Sequence, residues 1–241
     1  MNYKNCDTGI DVKSIIVTGA SSGLGKLIKK HLEQDGHNVV DWSLETGVDI
    51  TRESSVEMAA RELDFDHFSC VINCAGINEI GFIENTLVDD WDSVMDTNAR
   101  GIFLVTKVLL KHRQLRSGTI LNIVSNASHM PMTASIAYNA SKGAAAIMTL
   151  QMARELMPRN GITVFGISPN KLAGTGMSEY IERRVLEVRG FTAEQAKAYQ
   201  LAALPAREET DPEALAEFIA FIMSTKQRHK YLAGCIIPYG A

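Results

Sequence analysis

Ser14-Ile15-Ile16-Val17-Thr18-Gly19-Ala20-Ser21-Ser22-Gly23-Leu24-Gly25 is the stretch that decides how this chain folds. A short apolar run ends in Thr18-Gly19. From Gly25 to Asp35 the chain then carries Leu27, Ile28 and Leu32 on one helical face before Gly36 stops it. The pattern is a buried strand, a turn and an amphipathic helix. The turn holds glycines at 19, 23 and 25, a G-x-x-x-G-x-G spacing. Glycine reaches backbone conformations closed to other residues and lets main-chain N–H groups come close to a ligand. A helix that opens here aims the positive end of its dipole at whatever lies over the turn, which suits a pyrophosphate. Taken alone, the spacing also fits a plain strand-to-helix turn, so the rest of the chain must decide.

Working outward, apolar runs at 38–40, 70–73, 119–124, 163–167 and 235–237 read as further strands. Helical stretches lie between them: one opening at Thr51 as N-cap, one over 89–112, one over 136–157 with Pro158 helping to end it, and one over 211–224 with Pro212 at its first position. Strands alternating with helices of this length predict βαβ units, a mostly parallel sheet and helices on both faces. No repeat, low-complexity tract or Pro/Gly/Ser-rich linker divides the chain, so residues 1–241 are expected to form a single doubly wound α/β domain, Rossmann-like in layout. Ligands of such sheets bind beyond the carboxyl ends of the strands, where the strand order reverses.

Composition narrows the function. With 46% hydrophobic and 22% charged residues the chain is an ordinary globular protein, and its formal net charge of -4 speaks against nucleic acid or an anionic membrane as partner. The first thirteen residues are polar, without the apolar core of a secretory signal, and no apolar run reaches the roughly 18 residues that span a bilayer. A cytoplasmic protein is expected. Of the four cysteines, Cys6, Cys70, Cys74 and Cys235, only Cys70 and Cys74 lie close in sequence, and no second Cys or His pair completes a zinc site. They read as small core residues, and no metal is expected.

The reactive groups lie in Tyr138-Asn139-Ala140-Ser141-Lys142, inside a helical stretch. Residues i and i+4 share a helix face, so phenol and ammonium can enter one cleft. A tyrosine ionises near pKa ~10, and a nearby cation favours the phenolate, which makes the pair a usable proton donor and acceptor. An exposed helix with an aromatic beside a lysine is the plain alternative. Ser125, just past the strand ending at Val124, lies thirteen residues before Tyr138, and Asn98 sits in Asn98-Ala99-Arg100-Gly101.

These features, with Asn73-Cys74-Ala75-Gly76 and Val48-Asp49-Ile50, resemble the classical short-chain dehydrogenase/reductase family, from about Ile15 to the last residues and in order. The resemblance implies a sheet of about seven strands and hydride transfer between nicotinamide and a carbonyl or alcohol carbon. It assigns acid/base work to Tyr138, binding of the substrate oxygen to Ser125, and the nicotinamide ribose together with tuning of the phenol to Lys142. The main-chain carbonyl of Asn98 would hold a relay water. Thr18, Gly19, Ser21, Ser22, Gly23, Leu24 and Gly25 would cradle the dinucleotide. Asp49 would contact adenine, and Asn73, Ala75 and Gly76 would lie beside the adenosine ribose, with Cys74 standing where the family has a second Asn.

Two departures stand out. After the strand at 163–167 the family has Pro-Gly, and this chain has Pro169-Asn170, with Thr175 one residue later than is common for a cofactor contact. Asn tolerates left-handed backbone better than most residues, so the turn could survive. The second departure concerns cofactor choice. The acidic residue that marks NAD enzymes falls on Ser43, with Asp41 two residues earlier on the same face of an extended chain. If Asp41 reaches the ribose, NAD(H) is favoured. If Ser43 does, NADP(H) could be tolerated, although Ser22 and Leu44 supply no cation.

Residues 168–204 are expected to form a flap over the cleft, with Gly174 and Gly176 as hinges and Met130, Met132, Met177 and Tyr180 as candidate pocket lining. Arg183, Arg184 and Arg189 read as a solvated face before a carrier contact. The substrate is expected to be a small carbonyl or alcohol, and the assembly, by resemblance, a homodimer or homotetramer through the helices at 89–112 and 136–157. Two rival readings are a catalytically silent dinucleotide-binding regulator on the same fold and a Rossmann-like methyltransferase. The first would normally lack Tyr138 or Lys142, and the second gives no reason for Ser125, Tyr138 and Lys142 to coincide.

Overall fold

A computed structural model describes residues 13–63, 68–112, 115–202, 204, 206–225 and 229–240. The polar N-terminal stretch, with Cys6, lies outside the described residues. Six parallel strands form one sheet: β1 (Ser14–Thr18), β2 (Asn38–Trp42), β3 (Phe68–Asn73), β4 (Leu115–Ile123), β5 (Thr163–Pro169) and β6 (Ile236–Tyr239). Their order is β2-β1-β3-β4-β5-β6. The chain leaves β1 toward β2 on one side and returns to β3 on the other, which opens the crevice over the end of β1.

The helices are α1 (Gly23–Gln34), α2 (Glu53–Arg61), α3 (Val88–Met95), α4 (Gly101–Lys111), α5 (Ile136–Asn160), α6 (Gly176–Arg189), α7 (Ala193–Ala202) and α8 (Pro212–Ser224). Alternate residues of each strand feed opposite cores, as the twofold strand period requires. Ile15, Val17, Ile72, Leu121 and Phe165 pack with Ile28 and Leu32 of α1 and Ile219 and Met223 of α8. Ile16, Val71, Ile120 and Val164 face Val56 of α2, Leu109 of α4 and Leu156 of α5.

The sheet has six strands among the described residues where about seven were expected. Only residues 43–52 separate β2 from α2, and they form a single 3-10 turn, Leu44–Thr46, closed by left-handed Gly47 and followed by irregular chain. A parallel strand pair needs a crossover of about a dozen residues or more, so no further strand fits, and β2 is the edge. β2 runs two residues past the expected 38–40, which places Asp41 inside the strand, paired with Val17. The long helix at 89–112 is broken by a π turn, Asp96–Arg100. Pro158 does not end α5. The helix continues to Asn160 and stops at Gly161 (φ 67), whose left-handed backbone lets its N–H close on the Met157 carbonyl. Thr51 is not the cap of α2: Arg52 holds that position, and Thr51 donates through its N–H and hydroxyl to Asp49 Oδ1 at 2.9 and 2.7 Å.

Cys70 is buried, Cys74 half-buried and Cys235 exposed, all three free, and no His/Cys/Asp/Glu cluster of metal-binding geometry occurs among the described residues. No helix among the described residues is long and apolar enough to cross a membrane.

His229 joins the sheet to α8. It is 6% exposed, its Nε2 donates to the Ile222 carbonyl (2.7 Å) and its Nδ1 accepts from the Thr119 hydroxyl (2.9 Å). Burial pushes its pKa down, against the opposing effect of the Ile222 carbonyl, so the folded state holds a neutral ring. The unfolded chain therefore binds the proton more readily, and stability is full above the ordinary value near pH ~6.5 and falls as pH drops below it. Urea midpoints measured from pH 8 to 5 should show this fall in the wild type and a shallower one in His229→Gln. Equal slopes would contradict the assignment.

Candidate active site

The site begins where β1 ends. Gly19 takes φ 69, and a Cβ there would lie 2.8 Å from Ala75 Cα. A Cβ on Gly25 would lie 2.2 Å from the Gly19 carbonyl oxygen. Both positions admit only glycine: Gly19 lies against the segment after β3, and the first turn of α1 rests directly on the loop. Ser22 caps α1 with extended backbone and no side-chain bond to the helix, which leaves the opening N–H groups for an anion. Thr18 Oγ1 accepts from the N–H groups of Cys74 (3.0 Å) and Ala75 (3.1 Å), tying the ends of β1 and β3 together beneath that loop.

Asn73 works inside the sheet. Its Nδ2 donates to Asn122 Oδ1 (2.8 Å), Asn122 Nδ2 donates to Thr149 Oγ1 (2.9 Å), and Thr149 donates to the Ala145 carbonyl (2.7 Å). This buried chain locks β3, β4 and α5 at the height of the site. Asp49 holds the Thr51 turn by one carboxylate oxygen and lies beside the start of α2.

Asn98, fully buried in the π turn, does more than interrupt a helix. Its Oδ1 accepts from Ile77 N–H (2.9 Å), and its Nδ2 donates to the Ile77 carbonyl (2.8 Å) and to Ser141 Oγ (3.0 Å). Ser141 in turn donates to the Tyr138 carbonyl (2.8 Å). The side chain thus fixes the segment after β3 against the Tyr138–Lys142 turn of α5. A π turn shifts the helical register at this residue, a feature that concentrates at functional sites.

Ser125, Tyr138 and Lys142 converge at the end of β4. Ser125 Oγ accepts from Ala127 N–H (3.2 Å), donates to Asn126 Oδ1 (3.4 Å) and lies beside the Tyr138 phenol, where it favours the phenolate. Lys142 is 5% exposed, donates to the Ile123 carbonyl (2.9 Å), and lies 5.7 Å from the centre of the Tyr138 ring. Burial lowers its pKa to about 8, with the neighbouring Cys74 thiol opposing. The same burial lifts Cys74 to about 12, which leaves it an inert thiol. Burial also pushes the Tyr138 phenol up, with the Ser125 hydrogen bond working against it. The i, i+4 spacing brings Lys142 and Tyr138 into one cleft as expected, but the direct lowering of the phenol by the lysine is not what the protein alone delivers. Desolvation dominates both groups.

Pro169 ends β5. Asn170 does not use left-handed backbone: its side chain bonds the Gly240 carbonyl and the Thr210 hydroxyl, and its N–H donates to the Tyr239 carbonyl at 3.2 Å. The residue that replaces the family's glycine thus ties the flap root to β6. Thr175 caps α6, accepting from Ser178 N–H (3.1 Å) and sharing a bond with its hydroxyl (2.8 Å), so its oxygen is engaged locally. The segment expected to form a flap holds two helices, α6 and α7. Tyr180 bonds Glu79, Arg184 reaches the Ile80 carbonyl (3.3 Å), and Arg189 bonds the Thr133 carbonyl, so α6 is fastened to the segment after β3 and to the loop before α5. Arg184 and Arg189 are engaged with the body of the protein, which the solvated-face reading missed. Met130 and Met132 are about two-fifths exposed at the cleft edge, and Met177 is half-buried.

Asn139 was not singled out by sequence, although it follows Tyr138 directly. It donates to the Ala127 (2.7 Å) and Met130 (3.1 Å) carbonyls and accepts from Met132 N–H (3.3 Å), holding the loop after Ser125. Ser141, Asn122 and Lys29 were also missed, the last lying 3.9 Å from Asp41. Only Asn139 and Ser141 carried a signal, their place inside the Tyr-to-Lys segment.

Known proteins resemble this arrangement. The model of the short chain dehydrogenase family matches residues 43–185. A protein of Xanthobacter autotrophicus named inactive 2-(S)-hydroxypropyl-CoM dehydrogenase 2 is 32% identical over 194 residues, covering 79% of this chain and 80% of its own. A 3-oxoacyl-[acyl-carrier-protein] reductase of Staphylococcus epidermidis is 28% identical over 246 residues, 92% of this chain and 95% of its own. Among solved structures, actinorhodin polyketide ketoreductase with NADPH superposes with a TM-score of 0.81 at 22% identity, over 95% of either chain. The 3-ketoacyl-(acyl-carrier-protein) reductase of Brucella melitensis complexed with NADH gives 0.78 at 23%, over 94% of this chain and 96% of that one. Both superpositions show the shared fold.

Proposed function

This chain belongs to the short-chain dehydrogenase family, and from that premise we propose that it is an oxidoreductase interconverting a carbonyl and an alcohol, with Tyr138 as proton donor and acceptor. The convergence of Ser125, Tyr138 and Lys142 at the end of β4 carries the reading. The loop that admits only glycine at 19 and 25, beside the uncapped first turn of α1, fits the pyrophosphate of a dinucleotide. A nicotinamide cofactor, when bound, supplies or accepts the hydride.

The protein's own groups supply position and protons. Ser125, which accepts from Ala127 and rests its hydroxyl proton on Asn126 Oδ1 at 3.4 Å, turns that proton to the substrate oxygen, an oxyanion-type role. Tyr138 donates its proton to the developing alkoxide in reduction and removes the hydroxyl proton in oxidation. Lys142, with one N–H on the Ile123 carbonyl, has two donors left for ribose hydroxyls, and its charge stabilises phenolate as the proton leaves. The register break at Asn98 would offer a main-chain carbonyl to a relay water.

A second reading, a dinucleotide-binding protein without chemistry, has one observation in its favour: the Xanthobacter relative carries the word inactive in its name. Following nicotinamide absorbance over a panel of ketones, ketoesters and sugars separates the two. Tyr138→Phe should lower kcat by about 10²–10⁴-fold while leaving cofactor binding intact. Wild-type turnover in that variant would contradict the proton role, and cofactor binding with no turnover of any carbonyl by the wild type would favour the silent reading.

We place the subunit contact of a homodimer or homotetramer on the exposed apolar side chains of α4 and α5, Phe103, Ile147 and Leu150, and the protein in the cytoplasm, where free Cys70 and Cys74 stay reduced. Sedimentation velocity at micromolar concentration should read a dimer or larger, shifted toward monomer in Ile147→Asp. A monomeric wild type would contradict the placement.

A further inference from the structure

The adenosine end of the cleft is built differently from what an acidic residue at the end of β2 would give. Position 43, just after that strand, is a serine, and the carboxylate lies two residues back at Asp41, inside the strand. Asp41 is drawn down among its neighbours. Its Oδ2 accepts from Ser21 Oγ (3.1 Å) and faces Lys29 Nζ at 3.9 Å, and its Oδ1 is closed off from solvent with no partner in the protein. Ser21 Oγ also bonds Ser43 Oγ, and Ser43 N–H donates to Thr46 Oγ1 (3.1 Å). Ser21 is the more exposed of the two serines: Ser43 is only 6% exposed.

The proton count fixes the direction of this network. A carboxylate only accepts, so the single Ser21 proton goes to Asp41. The bond between the two serines must then use the Ser43 proton, which fills one lone pair of Ser21. What Ser21 presents to the cleft is its remaining lone pair, an acceptor. A ribose hydroxyl can donate to it, whereas a 2′-phosphate oxygen, itself an acceptor, cannot. Glu45 on the same turn is exposed and adds negative charge, Ser22 and Leu44 add no cation, and the Lys29 ammonium faces the Asp41 carboxylate, which offsets its charge.

Resting on the reading of the chain as a nicotinamide-dependent enzyme, we propose that Ser21 is the group that reads the adenosine ribose, and that Asp41 is a positioning residue that selects NAD(H) over NADP(H) through Ser21 and not by contact. Ser21 and Asp41 then act as one unit, and units of this kind are non-additive.

Nicotinamide fluorescence gives the Kd of NADH and of NADPH for the wild type, Ser21→Ala, Ser21→Thr, Asp41→Asn and the Ser21→Ala/Asp41→Asn double variant, each checked for folding by circular dichroism. NADH should bind the wild type at least about tenfold tighter than NADPH. Ser21→Ala and Asp41→Asn should each collapse that ratio, the double variant should collapse it no further, and Ser21→Thr, which keeps the hydroxyl, should retain it. A ratio lost in Asp41→Asn but kept in Ser21→Ala would show direct carboxylate contact and overturn the proposal, as would additive effects or a wild type that prefers NADPH. Folded wild type that binds neither dinucleotide would instead defeat the assignment of a nicotinamide site.

Discussion

A charged ammonium held out of water at the end of β4 is the constraint to which the surrounding structure answers. Burying a charge is costly unless its donors are met, and Lys142 meets the cost with the Ile123 carbonyl and a favourable position over the Tyr138 ring. Gly76 gives room to the Asn98 clamp beside it: a Cβ there would crowd Asn98 Oδ1 at 3.2 Å while only touching Nζ at 3.6 Å. Cys74, where relatives in the family have a second Asn, gives the ammonium a polarizable neighbour that stays protonated. The group is thus held in place by shape and by one strong acceptor, with donors in reserve.

Holding Lys142 still requires the elements that frame it to be still. The chain Asn73–Asn122–Thr149 crosses from β3 through β4 into α5, and the Asn98 side chain clamps Ile77 on one side and Ser141 on the other. The side-chain donors of Asn73, Asn122, Thr149 and Asn98 each have an acceptor, and such buried polar networks fix one arrangement, because any slip strands donors in a low-dielectric interior. The π turn belongs to the same design: it lets the Asn98 side chain face inward from the middle of a helix whose buried residues are, Thr106 apart, otherwise apolar or glycine. Asn139 extends the rigidity outward, to the loop that brings Ser125 against the phenol.

Much of this was legible in the sequence, for physical reasons that differ by element. The strand-turn-helix at 14–34 is specified locally, by burial on both faces of β1 and by glycines that no side chain can replace. Ser125 was marked by a strand end and Tyr138 and Lys142 by helix periodicity, while Asn98 was marked only by the family resemblance. The missing seventh strand could have been read from the ten residues between β2 and α2, since crossover length is a matter of counting. Asn170 was not legible: its partners, Gly240 and Thr210, are set by how the tail folds back, and an asparagine that tethers looks the same in sequence as one that turns. Thr175 caps α6 through Ser178, three residues on, a local pairing that the sequence does carry. The upward shift of the Tyr138 phenol was also hidden, because spacing reports that a cation is near but not how dry the cleft is.

The account depends on Lys142 being a desolvated cation, and its titration tests that directly. Protein labelled with ¹³C at lysine Cε, with the Lys142 resonance assigned by its loss in Lys142→Met, can be followed by NMR from pH 6 to 12. The structure predicts that Lys142 titrates at about 8, well below the ordinary lysine value. A Lys142 midpoint at the ordinary lysine value near ~10.4 would mean the ammonium is solvated, and the site would not be arranged as described.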